Sequence, residues 1–180
     1  DITAGKYSFA AVKNDLTAMI TVSDNGAANR LWRKTGRGTG LRRVASHYSL
    51  TKTSPGRTWG TTKTTAHDQV RLLHRALTVP NSYISAKNRA RILSLMKRVR
   101  SDQHWGAGGS LPAGWTSAVK NGWYRTVPGD EPPVGRWRIN TVGVVYDSTG
   151  QARWIMSGYS NTWRSQSKGV RAWNAVSRQI

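Results

Sequence analysis

The chain has no cysteine in its 180 residues. That excludes disulfides, thiolate metal sites and a thiol nucleophile. Acidic residues are scarce too: 8 Asp and Glu stand against 28 Lys and Arg, and the only glutamate is Glu131. No stretch approaches the roughly 20 apolar residues that span a bilayer, so no transmembrane segment is expected. The first residues lack the pattern of a signal peptide, so an exported protein would be seen here in processed form. There is no zinc-finger spacing and no RNA-binding aromatic motif. His47, His67, His74 and His104 are not spaced as a metal site and read as surface or helix residues. Neither a metal nor a cofactor is expected.

What is present is positive charge and tryptophan. The formal charge is +20, and a surface of that kind attracts polyanions such as nucleic acid, anionic cell-wall polymers or lipid headgroups. The cations are spread along the chain rather than gathered into a tail. The hydrophobic fraction is 37%, and nine tryptophans add bulky apolar surface. That is too much for a disordered chain and enough for a core in one domain.

Hydrophobic spacing predicts helices over 8–22, 25–34 and 41–48, with Gly36, Gly38 and Gly40 marking a turn before the third. Residues 49–63 read as a loop rich in Thr, Ser, Gly and Pro. Thr65 to Asp68 resembles a capping box, with the Thr hydroxyl accepting from the third helical amide and the carboxylate near the positive helix start. That helix runs to about Leu77, ahead of Pro80, and another covers 83–99. Residues 104–114 form a glycine-rich loop. Three strands follow over 116–125, 137–146 and 152–159, the last two joined by the turn "DSTG". The Pro-rich segment 126–136 cannot be strand, and a final helix covers about 165–178. Helices first, then an antiparallel meander, then a terminal helix make an α+β plan. We read 1–180 as a single domain, with a helical lobe over 1–103 and the sheet, meander and terminal helix over 104–180.

Two short motifs carry the chemistry. Ser23-Asp24-Asn25 lies at the corner between the first two helices, and Lys120-Asn121-Gly122 lies on the first strand, followed by Trp123. On ordinary grounds the first makes a good helix-to-turn corner or N-cap, and the second makes an ordinary strand. Together, in this order, they resemble the penicillin-recognising serine hydrolases: class A β-lactamases and related D,D-peptidases. The flanks match as well, with Thr61-Thr62 before the capped helix and "LPAGW" at 111–115 leading into the strand. The resemblance covers nearly the whole chain.

It implies a fold in which the two motifs flank a cleft, and an acyl-serine reaction on a β-lactam-like or peptidoglycan-peptide amide. Ser23 and Asn25 would carry a proton relay and hold the substrate's side-chain amide. Lys120 would supply positive charge for the substrate carboxylate and help tune the relay. Asn121, Gly122 and Trp123 would bind substrate. Gly122 would let it lie against the strand, and the Trp123 backbone N–H would complete an oxyanion hole. The resemblance also implies a secreted or cell-wall-associated bacterial protein.

Part of the family's pattern is missing. The nucleophile belongs to an S-x-x-K motif ahead of Ser23, and the residues before Ser23 contain none. Three such strings occur later, Ser49–Lys52, Ser94–Lys97 and Ser165–Lys168, and read as solvated surface pairs. The loop over about 47–60, where class A enzymes place a glutamate to activate the deacylating water, has no acidic residue. The fold is therefore expected to lack the family's N-terminal strands and nucleophile helix. Either a preceding segment supplies them, or the chain is a non-catalytic basic protein on the same scaffold that binds anionic polymers. Taken alone, the chain is expected to be inactive. The third strand should form an edge and the helical lobe should be open, at a seam that receives the missing segment or a second copy.

Overall fold

The computed structural model describes residues 7–131 and 133–179. The chain divides into two compact units, Asp1–Arg98 and Val99–Ile180. It is α+β, with six α-helices and a three-stranded antiparallel sheet among the described residues.

The first unit is helical: α1 Lys13–Thr21, α2 Asn25–Lys34, α3 Arg37–His47, α4 Ala66–Leu73 and α5 Ala86–Lys97. α1 starts at Lys13 rather than at Ser8. Ser8 Oγ accepts from the Ala11 N–H at 3.2 Å, and Val12 N donates to Phe9 O at 3.1 Å. A serine that captures a backbone donor three residues on offers the chain a turn in place of a helix. α5 also starts late. Asn81 Oδ1 accepts from Tyr83 N and Ile84 N at 3.1 and 2.8 Å, which forms a turn before the Ser85 cap.

α3 starts four residues earlier than expected. It begins at Arg37, so Gly38 and Gly40 are helical. Only Gly36 makes the turn, with φ of +86° in the left-handed region that glycine enters at no steric cost. Gly40 is needed for a different reason: a Cβ there would overlap the carbonyl of Thr35 at the end of α2. What reads as turn punctuation is a close approach between consecutive helices.

α4 continues into a π-helical turn, His74–Thr78. Its start follows the expected cap, since Thr65 Oγ1 accepts from Asp68 N at 3.2 Å. The Asp68 carboxylate does more than face the helix start. It is buried, and Oδ2 accepts from Lys52 N and Thr53 Oγ1, both at 2.8 Å. The loop between α3 and α4 is thereby fastened to α4. Ala45, Tyr48, Leu50 and Ala76 form one buried cluster of this unit. Beside it lies an open cavity of about 1260 Å³, lined by Phe9, Val12, Leu16, Leu31, Val44 and Ile92 among others.

In the second unit β1 Thr116–Arg125, β2 Trp137–Tyr146 and β3 Ala152–Trp163 pair in sequence order. β1 and β2 match their expected limits. β3 runs four residues further than expected. Ile139 pairs with Ser160, whose Oγ donates to Ile139 O at 2.6 Å, and beyond a bulge Trp137 pairs with Trp163, so the ladder extends through polar residues. Among the described residues no strand pairs with the outer edge of β3. The turn after β2 is built by Asp147, whose Oδ1 accepts from Thr149 N, Thr149 Oγ1 and Gln151 N. These bonds, led by the Thr149 hydroxyl and joined by Arg153, hold its carboxyl well below the usual range.

Helix α6, Gln166–Ser177, packs on β2 and β3. Its closeness depends on glycine. A Cβ on Gly158 would overlap the indole of Trp173, and one on Gly169 would meet Ile139. The sheet's core residues Ala118, Val119, Ile139, Val144 and Val145 are fully buried. Burial of each of the four larger side chains contributes about 1.5–3 kcal/mol.

Candidate functional site

The Ser23 corner is built by backbone. Val22 N and Asp24 N both donate to Ala18 O at 3.2 Å, so the chain reverses directly after α1. The reversal places Ser23 at φ +57°, a conformation uncommon for a residue with a side chain. Such strain gathers where structure serves a site. Asp24 is the N-cap of α2, and its Oδ1 accepts from Ala27 N at 2.6 Å. Asn25 is the first helical residue and is exposed. Asp15 pairs with Arg30 at 2.8 Å, joining α1 to α2. Trp59 Nε1 donates to Asn29 Oδ1 at 2.8 Å, joining the α3–α4 loop to α2.

The strand motif is divided by the two-residue alternation of β1. Ser117, Val119 and Asn121 turn inward and are buried. Lys120 and Gly122 share the other face and are half-buried. Lys120 Nζ donates to Asn121 O at 2.6 Å, and burial pushes its ammonium pKa down to about 8. A charged form that loses solvation without full compensation releases its proton more readily. At Gly122 an added Cβ would meet nothing within 4 Å, so this stretch of strand surface is open.

Asn121 has a framework task. It is 4% exposed, and its Nδ2 donates to Gln103 O and Trp105 O, each at 2.8 Å. The 103–109 segment is held from other directions too. Ala107 N donates to Thr141 Oγ1 at 2.9 Å, Gly106 N donates to Asn174 Oδ1 at 2.8 Å, and Ser177 Oγ donates to Gly106 O. Ser117 Oγ and His104 Nε2 share a hydrogen bond at 3.2 Å. Trp123 is half-buried, its ring centroid 6.3 Å from that of Trp105. Sequence reasoning gave Asn121 a substrate contact and missed this network. The inward alternation of Ser117, Val119 and Asn121 is the signal that points to it.

The three S-x-x-K strings have local structural roles or open surroundings. Ser165 is the N-cap of α6, its Oγ accepting from Lys168 N at 3.3 Å. Ser49 is exposed at φ +55°, and Ser94 and Lys97 are exposed on α5. Glu131 is exposed in the β1–β2 loop, where its backbone carbonyl accepts from Arg138. Among the described residues no group of three His, Asp or Glu side chains is placed to hold a metal ion, and no helix is long and apolar enough to cross a membrane.

The comparisons with known proteins agree on the fold. The β-lactamase from Streptosporangium roseum superposes with a TM-score of 0.72 at 24% identity, over 93% of this chain and 63% of its own. A class A β-lactamase from Bacteroides cellulosilyticus gives 0.76 at 18% identity, over 92% of this chain and 60% of its own. The chromosome-encoded β-lactamase of Vibrio parahaemolyticus gives 0.72 at 17% identity, over 94% and 63%. The chain thus spans about three fifths of the length of these structures. No curated protein matches it significantly. The model of the beta-lactamase enzyme family matches residues 3–180. With the match running over nearly every residue and the same fold recurring in class A β-lactamases, the chain belongs to the beta-lactamase enzyme family.

Proposed function

We propose that this chain is the relay and carboxylate-binding portion of an acyl-serine hydrolase acting on β-lactam-like or peptidoglycan-peptide amides, with the nucleophile supplied from outside these residues. The observation that carries the reading is the pairing of Lys120 with Gly122 on one face of β1. A half-buried ammonium there lies next to strand surface that no side chain obstructs. A substrate carboxylate would meet the ammonium where water is partly excluded and charge counts for more.

The roles follow from the chemistry of acyl transfer. A serine oxygen attacks the amide carbonyl, and the negative charge that develops on the carbonyl oxygen is assigned to the backbone N–H of Trp123. The C–N bond then breaks, and the leaving nitrogen needs a proton. Ser23 is assigned the relay that delivers it. Asn25 holds the substrate's side-chain amide. Asn121 acts through its backbone, since its side-chain amide group is bonded to two carbonyls.

The cavity of the first unit supports an external segment. A helix is about 10 Å across and rises 1.5 Å per residue. An open cavity of about 1260 Å³ leaves room for the apolar side chains of such a helix. Its floor of Phe9, Val12, Leu16 and Leu31 suits an apolar helix face. We assign to it the helix that carries the nucleophile.

The test uses a chromogenic cephalosporin and benzylpenicillin, with intact-mass spectrometry. The isolated chain should turn over neither and should carry no adduct. A form that includes an upstream S-x-x-K segment should be acylated on that serine, and Lys120→Ala should slow acylation at least about tenfold, roughly 1.4 kcal/mol in the barrier. A covalent adduct on the isolated chain would overturn the reading, as would an acylation rate indifferent to Lys120→Ala.

A further inference from the structure

The first unit shows three large apolar side chains to solvent among the described residues: Val22, Trp59 and Tyr83. Tyr83 is stacked on the His47 ring at 4.1 Å. The other two adjoin the Ser23-Asp24-Asn25 corner. Val22 immediately precedes it, and Trp59 reaches it through α2. The Trp59 indole is 39% exposed, and its Nε1 donates to Asn29 Oδ1 at 2.8 Å. Asn29 follows Asn25 by four residues, both are exposed, and positions four apart share a helix face. The residue that holds the indole is thus one turn, about 6 Å, along α2 from Asn25.

The loop that carries Trp59 is fixed by its own contacts. Trp59–Thr61 is one turn of 3-10 helix. Thr58 N donates to Thr61 Oγ1 at 3.1 Å, and Thr61 Oγ1 donates to Thr58 O at 3.1 Å. At Gly56 a Cβ would overlap Thr61, so the loop closes tightly on itself. Among the described residues no second ring and no cation is stacked on the indole. Its polar edge is satisfied and its backbone is held, so it offers contact area that loses little freedom on binding.

An exposed indole face takes another aromatic ring or a cation. From Asn25 to His67 the chain has no acidic residue, and Arg57 stands two residues before Trp59. A cationic group would find no counter-charge on this segment, which leaves an uncharged ring as the better match. We propose that Trp59 is a specificity-determining residue, on whose indole the ring of a substrate's arylacetyl group stacks while Asn25 holds the amide of that group. The inference rests on the role given to Asn25 in the proposed function. A single methylene between amide and ring suits two anchors one helical turn apart.

The experiment uses the full chain labelled with nitrogen-15 and needs no nucleophile. N-phenylacetylglycine is titrated against it, with N-acetylglycine as the probe that keeps amide and carboxylate and lacks the ring. Binding is read from the indole N–H signal of Trp59, assigned by its loss in Trp59→Phe, and from the side-chain amide of Asn25. The aryl probe should shift both signals saturably and bind at least about tenfold more tightly than N-acetylglycine. Trp59→Phe keeps a ring and loses the bond to Asn29, and should stay within about threefold of the parent. Trp59→Ala should bind both probes equally, with circular dichroism checking the fold. Equal affinities for the two probes in the parent would overturn the inference. Equal losses in Trp59→Phe and Trp59→Ala would also overturn it, since the indole would then be only a strut to α2. A shift at Asn25 with none at Trp59 would overturn it and leave the proposed function standing. The proposed function fails separately, through the acylation assay, in which no aryl group is required.

Discussion

Ser23-Asp24-Asn25 and Lys120-Asn121-Gly122 are both three-residue motifs in which the middle side chain is the anchor and its neighbours are presented. The anchoring differs in reach. Asp24 accepts from Ala27, three residues away, and thereby starts α2. Asn121 donates to carbonyls 18 and 16 residues away, and thereby joins β1 to the 103–109 segment. The corner depends on local chain geometry, whereas the strand motif depends on the folded unit around it. Mutation should therefore separate a local cost from a global one.

The largest effect should come from Asn121→Ala. Two buried carbonyls lose their donors, at a cost of about 2–3 kcal/mol, read as a shift in the urea midpoint of the chain. A loss below about 1 kcal/mol would mean that Thr141, Asn174 and Ser177 hold the segment unaided, and the contrast would weaken. Asp24→Ala should cost about 1 kcal/mol, the usual value of a lost N-cap. If it equals Asn121→Ala, the corner is not the local device described here.

The third effect is on pH dependence. Lys120 titrates near 8 when folded, against an ordinary value of 10.5. Between those values the unfolded chain binds more protons, so this residue makes stability rise as pH climbs from about 8 to 10.5. Its unfavourable contribution is fully present below pH 8. Lys120→Met should flatten that rise when the two proteins are compared from pH 7 to 10.5. Parallel curves would return Lys120 to the status of an ordinary surface lysine.

Much of the fold could be read from local pattern, because local pattern causes it. The start of α2 follows from a cap, and β1 and β2 are strand-like runs bounded by Gly- and Pro-rich loops. What escaped is set by distant partners. Gly40 resembles a turn residue until Thr35 is seen against it. Asp68 resembles a helix-start acid until Lys52 and Thr53 are seen bonded to it. Ser165 resembles half of a catalytic string, while its hydroxyl caps α6. Within the candidate site, the residue types of both motifs were legible. The inward turn of Asn121 was legible only through its neighbours on the same strand face.

The contact between Gly158 and Trp173 has a consequence for how this sequence can change over generations. With no room for a Cβ beside the indole, a side chain at 158 must be matched by a smaller ring at 173. The Trp173 Nε1 donor, bonded to Ile139 O at 2.9 Å and Ser160 Oγ at 3.1 Å, would then be lost as well. The two positions should drift as a pair. Lineages that depart from glycine at 158 should carry a smaller residue at 173, and a lineage that combines a bulky 158 with tryptophan at 173 should have moved α6 off the sheet.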